Sequence, residues 1–124
     1  MPTVIIVADP ARFNSLQAGI ESRGGAVRRS PSAEAALAAV AEAPVDLVVA
    51  DETLDDMSGE ALARKLVAAN PLINCALVSA LAPKAFHEAT EGLGILMQLP
   101  PAPQQSDGEE LMARLNQILG LAAS

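Results

Sequence analysis

The chain has 124 residues, is 51% hydrophobic and carries a formal net charge of −7, with no Trp or Tyr and only two Phe. That length suits one domain with a core of its own, and the charge and missing aromatics argue against nucleic-acid or anionic-membrane surfaces, which need basic patches and stacking rings. A lone cysteine, Cys75, excludes an internal disulfide framework and a cysteine-based zinc site, and the expectation is a single cytoplasmic domain over residues 1–124 without signal peptide or membrane span.

Residues 3–8 are a short β-branched apolar run, which predicts a strand buried on both faces. Pro10 then suits the first turn of a helix carrying Phe13, Leu16 and Ile20 at helical spacing, and Gly24-Gly25 ends it. Residues 26–29 read as a short strand near an edge. Ser30-Pro31-Ser32 opens a second helix with a cap and a proline, and Pro44 stops it. Residues 45–50 repeat the buried-strand pattern, interrupted only by Asp46, and lead into the polar loop 51–59. A helix from about Ser58 to Asn70 carries Leu62 and Leu66. Residues 75–78 form a fourth strand, 82–91 a short helix and 95–97 a fifth strand. Pro100-Pro101-Ala102-Pro103 is a stiff loop. Ser106 and Glu109 have capping-box spacing, and Leu111, Leu115, Ile118 and Leu119 make an amphipathic stripe.

Strand and helix alternate five times, which predicts an α/β fold, a flavodoxin-like doubly wound sheet of five parallel strands. Ligands of such sheets sit at the carboxyl ends of the strands. Those ends carry Asp9, Asp51 and Ser79, which the topology brings to one cleft. Two carboxylates together repel or recruit a cation, and hard oxygen donors suit Mg²⁺. A carboxylate in an open cleft is also a nucleophile toward phosphorus, and a hydroxyl beside it can bond an added phosphoryl oxygen. Glu52, Asp55 and Asp56 read as a solvated loop, which together with Asp51 and Glu60 makes this rim strongly acidic. His87 reads as a surface helix residue and Cys75 as an inert core thiol.

These residues resemble the receiver domains of bacterial response regulators, over roughly residues 3–120. The stretch Pro44-Val45-Asp46-Leu47-Val48-Val49-Ala50-Asp51, followed by Asp55-Asp56-Met57-Ser58-Gly59, has that family's spacing from the phosphoacceptor aspartate to the glycine of the next helix. Val78-Ser79-Ala80 matches its strand-four hydroxyl, and Val7-Ala8-Asp9 the end of its first strand. The resemblance implies a (βα)5 receiver fold and a non-enzymatic role in two-component phosphorelay signalling. It implies Asp51 as phosphoacceptor, Ser79 as the hydroxyl that senses the phosphoryl group, and weakly bound Mg²⁺ held by Asp9, Asp51 and the Thr53 carbonyl. Its implied partners are a histidine kinase or phosphotransfer protein and a downstream protein met through the fourth helix, fifth strand and fifth helix. A homodimer is compatible with it, and nucleic acid and membrane are not expected. The alternative is a pseudo-receiver that binds a partner without phosphorylation.

The chain departs from the family in four places. Ala8 replaces the first of two acids, and Leu99, or Gln98 in a shifted register, stands where the family has a lysine before proline. Leu96 or Ile95 replaces an aromatic switch residue, and Asp55 replaces a common proline. The resemblance also implies a cis bond at Leu99-Pro100. A small flavin-binding protein is disfavoured by the acidic rim and the absence of a phosphate loop.

Overall fold

The computed structural model describes residues 1–120. The apolar runs become five strands, β1 (Thr3–Val7), β2 (Ala26–Ser30), β3 (Leu47–Ala50), β4 (Asn74–Val78) and β5 (Ile95–Leu99). They pair in parallel in the order β2-β1-β3-β4-β5, so β1, β3 and β4 are neighbours as expected. The five crossovers and exits are helices α1 (Asn14–Ser22), α2 (Ala33–Glu42), α3 (Gly59–Ala69), α4 (Pro83–Ala89) and α5 (Gln105–Leu119).

The unbroken apolar strands follow from helices on both sheet faces. Ile5, Val7, Val48, Ala50, Cys75 and Leu77 point to one core with Leu62, Leu66 and Phe86. Their alternates Val4, Ile6, Val49, Ala76 and Val78 point to the other, with Leu16, Ile20, Leu111, Met112 and Leu115. Burial pushes the Cys75 thiol up to about 11, as befits an inert core thiol. Asp46 breaks the third apolar run because it works at the sheet's amino end, where its carboxylate accepts from Thr3 N–H at 2.8 Å.

Helix starts follow the capping serines. Ser32 Oγ accepts from Ala35 N–H, and Ser58 Oγ from Ala61 N–H. Other boundaries differ from expectation. Helix α1 begins at Asn14, not at Pro10, because Phe13 takes a left-handed conformation (φ 67°) and residues 9–12 form a separate turn. In that turn Asp9 Oδ1 accepts from Ala11 N–H at 2.9 Å. The capping box of α5 uses Gln104 and Asp107 rather than Ser106 and Glu109. Its apolar stripe is buried at Leu111, Met112 and Leu115, whereas Ile118 and Leu119 are exposed. The described residues contain no cis peptide bond, so Leu99-Pro100 is trans, contrary to the implied geometry. In this trans arrangement the Pro101 carbonyl accepts from Arg12, tying the loop to the first strand's exit. No helix among the described residues is long and apolar enough to cross a membrane.

The loop 51–58 is structured rather than merely solvated. Thr53 and Ser58 form an antiparallel bridge, and Leu54 N–H donates to the Met57 carbonyl. Asp56 caps α2 from across the molecule: its two carboxylate oxygens accept from Ala33 N–H (3.1 Å) and Glu34 N–H (2.9 Å). These bonds from a helix N-terminus lower the Asp56 pKa from the usual carboxylate value. A carboxyl whose pKa is lowered by folding adds stability above the ordinary carboxylate range and loses it as pH falls through the lowered value. Asp56→Asn is therefore expected to be less stable than the parent at neutral pH. That gap should close on acidification, as measured by urea midpoints across the acid range. A gap independent of pH would assign the effect to something other than this carboxylate.

Candidate functional site

The carboxyl ends of β1 and β3 face a cavity of about 300 Å³ lined by Asp9, Arg12, Asp51, Thr53 and Asp55. Asp51 follows the last residue of β3 and is buried, 6% exposed. Its backbone is fixed by an N–H bond to the Val7 carbonyl on β1. Its Oδ1 accepts from Glu52 N–H at 2.7 Å. Its Oδ2 lies 3.3 Å from Arg12 Nη1. Asp9, two residues beyond β1, shares the cavity but turns one oxygen back to its own loop. The structure thus brings Asp9, Asp51 and Thr53 around one space. Ser79 is not among the residues lining it.

Ser79 immediately follows β4 and lines a separate cleft of about 150 Å³ with Glu52, Leu81 and Phe86. Its Oγ accepts from Leu81 N–H at 3.1 Å. Glu52 is tied to the same turn, since its carboxylate accepts from Ala80 N–H at 3.1 Å. On β5, Gln98 and Leu99 take different directions. The Gln98 amide donates to the carbonyls of Ser79 (3.3 Å) and Leu81 (2.8 Å). Leu99 is fully buried in the core between the sheet and α1 and α5. Neither reaches Asp51. Leu96 lies at an irregularity of the β4–β5 register and is only partly buried. Phe86 is a core residue.

Sequence reasoning missed Arg12. Its guanidinium pairs with Asp51, donates through Nη2 to the Pro101 carbonyl at 2.9 Å and lies 4.7 Å above the Phe13 ring. Arg29 on β2 steadies the same turn, its guanidinium donating to the carbonyls of Asp9 and Arg12 and to Gln17 Oε1. The only signal was an arginine three residues beyond a strand-end aspartate, too common a pattern to single out.

Two carboxylates and a nearby carbonyl are hard oxygen donors, and the cationic group already beside Asp51 is what an uncompensated buried carboxylate calls for. The donor set therefore fits a small divalent cation. It is lean, because no group of three or more His, Cys, Asp or Glu side chains is placed to hold a metal among the described residues.

The sequence matches no protein-family model and no curated protein. Solved structures do match. A CheY-like receiver domain from Methanospirillum hungatei superposes with a TM-score of 0.81 at 21% identity, over 97% of this chain and 98% of that one. A response regulator from Thermotoga maritima gives 0.80 at 19% identity, over 94% and 98%. A chemotaxis response regulator of Vibrio cholerae gives 0.80 at 14% identity, over 93% and 98%. The chain has the fold of response-regulator receiver domains along nearly its whole length.

Proposed function

We propose that this chain is a receiver domain of two-component signalling, whose Asp51 accepts a phosphoryl group from a histidine kinase or phosphotransfer protein. The observation that carries the reading is the placement of Asp51. It immediately follows the central strand β3 and shares a cavity with Asp9 and Thr53 in a receiver fold.

An Asp51 carboxylate oxygen is the nucleophile; Oδ1 accepts from Glu52 N–H and Oδ2 lies beside Arg12. As the bond from this oxygen to phosphorus forms, the bond from phosphorus to the donor nitrogen or oxygen breaks, and its electron pair leaves with the donor. Asp9, Asp51 and the Thr53 carbonyl would hold Mg²⁺, which when bound neutralises the charge of the phosphoryl oxygens. Until a cation arrives, Arg12 supplies the positive charge that balances the buried Asp51 carboxylate, in a position the buried Leu99 does not fill. The Ser79 hydroxyl, whose O–H remains free to donate while its oxygen accepts from Leu81 N–H, would shift from its own cleft toward a phosphoryl oxygen, which couples the site to the turn before α4. Downstream contact is then made through α4, β5 and α5, and the product is a signal rather than a released chemical.

The parent chain incubated with acetyl phosphate and Mg²⁺ is expected to gain one phosphoryl group by intact mass, and Asp51→Asn none. A parent that stays unmodified under conditions that label an ordinary receiver overturns the reading. One observation favours the second reading in that case. Asp51 already has a counter-ion in Arg12, and Leu99 leaves β5 without a lysine, so the chain would serve as a phosphorylation-independent interaction module.

A further inference from the structure

Four ion pairs occur among the described residues. Three join exposed or part-exposed side chains, where such pairs contribute little. The fourth is Arg12–Asp51, in which the carboxylate is 8% exposed. A carboxylate that far from water is costly without a partner, so this pair has a consequence the others lack. Arg12 also spans two parts of the fold. Nη1 faces the end of β3, while Nη2 holds the Pro101 carbonyl in the loop between β5 and α5. The arginine itself is rigidly mounted. Its N–H donates to the Asp9 carbonyl at 2.9 Å, Arg29 holds its own carbonyl, and the Phe13 ring lies under its guanidinium. The segment it grips, Pro101-Ala102-Pro103, is stiffened by two prolines, so a change at the Pro101 carbonyl moves the segment as a unit.

We propose that Arg12 is a latch on the Asp51 cavity: its guanidinium holds the cation position at Asp51 Oδ2, and a divalent cation that takes this oxygen frees the β5–α5 loop at Pro101. The proposal rests on reading the Asp51 cavity as a cation site. It makes Arg12 a positioning residue that sets cation affinity and ties occupancy of the site to the loop leading into α5.

The chain has no Trp or Tyr, so the test uses amide NMR during titration with Mg²⁺. The Glu52 amide reports on Asp51, and the Ala102 and Gln104 amides report on the loop. In the parent, all three are expected to move together. In Arg12→Ala, Mg²⁺ should bind about five- to tenfold more tightly, because a competing charge at Oδ2 is gone. The Ala102 and Gln104 amides of this variant should start displaced and no longer follow Mg²⁺. Arg12→Lys keeps the charge but not the two-pronged grip. Its Mg²⁺ affinity should stay near the parent's while the loop response is lost. Unchanged or weaker affinity in Arg12→Ala overturns the latch. So does a loop that still follows Mg²⁺ in that variant, or absence of Mg²⁺ binding to both proteins. The functional reading fails separately: the latch results with no phosphoryl adduct defeat the phosphoacceptor alone, and an adduct with unaltered Mg²⁺ affinity in Arg12→Ala defeats the latch alone.

Discussion

Gly59→Ala is expected to destabilise the domain by about 2–3 kcal/mol, a large effect for one added methyl group. Gly59 opens α3, directly behind the Ser58 cap, and its N–H donates to the Glu52 carbonyl at 3.1 Å. A Cβ built there would lie 2.2 Å from the Asp51 carbonyl oxygen and 3.2 Å from its carbonyl carbon. Both neighbours are backbone, so no side chain can swing aside. Either α3 moves off the sheet or the Asp51 peptide is pushed from its place. The requirement comes from close approach, since Gly59 does not have a positive φ. It also gives a physical reason for the spacing between Asp51 and Gly59: the loop 51–58 closes through the Thr53–Ser58 bridge and returns the chain against its own starting peptide. A urea midpoint lowered without a change in slope is the expected measurement, accompanied by shifted Asp51 and Glu52 amides. A variant within about 0.5 kcal/mol of the parent, the range of an ordinary surface substitution, would contradict the close approach.

Gly108→Ala is expected to cost about 3 kcal/mol, at the upper end of the usual overpacking penalty. Helices α1 and α5 make the most extensive helix–helix contact of the fold, and they cross backbone to backbone at two glycines. A Cβ at Gly108 would sit 2.4 Å from the Leu16 carbonyl oxygen and 2.9 Å from the Ile20 nitrogen. One at Gly19 would sit 2.0 Å from the Gln105 carbonyl oxygen. Either alanine must part the helices and loosen Leu16, Ile20, Leu111 and Leu115, which the crossing buries completely. Because the first substitution already opens the crossing, the pair should cost less than the sum of the two singles, and a double-mutant cycle on denaturation midpoints measures that shortfall. Strict additivity would mean that the two glycines act at independent contacts.

The features legible in the sequence are those written in local pattern. The apolar runs of β1 and β3 announce two-sided burial, and Ser30-Pro31-Ser32 announces the start of α2, whose cap proves to be Ser32. The alternation of runs and stripes yields the sheet order that puts Asp9 and Asp51 at one end. What escaped the sequence depends on partners remote in the chain. Asp56 looks like a solvated loop acid until α2 is seen to rest its first N–H groups on it. Gly19 looks like an ordinary helical glycine until Gln105 arrives beside it. Arg12 looks like a surface arginine until β3 and the Pro101 loop converge on its two nitrogens. Ser79 stands just beyond β4, where its place in the sequence predicts, yet it shares a cleft with Glu52 that is separate from the Asp9–Asp51 cavity.

The departures from the family pattern acquire physical content from the same geometry. Leu99 is fully enclosed between sheet and helices, so a lysine introduced there would have to carry its charge out through the core or unfold it. The positive charge next to Asp51 comes instead from the opposite side, on the β1–α1 turn.

The central claim, that Asp51 carries the phosphoryl group, is tested most directly by locating the modification. The chain is treated with acetyl phosphate and Mg²⁺, reduced with borohydride, which converts an aspartyl phosphate to homoserine, and mapped by peptide mass spectrometry. Homoserine at position 51 alone is the predicted result. An unmodified Asp51, with homoserine at Asp9, Asp55 or Asp56 or at no position, would contradict it.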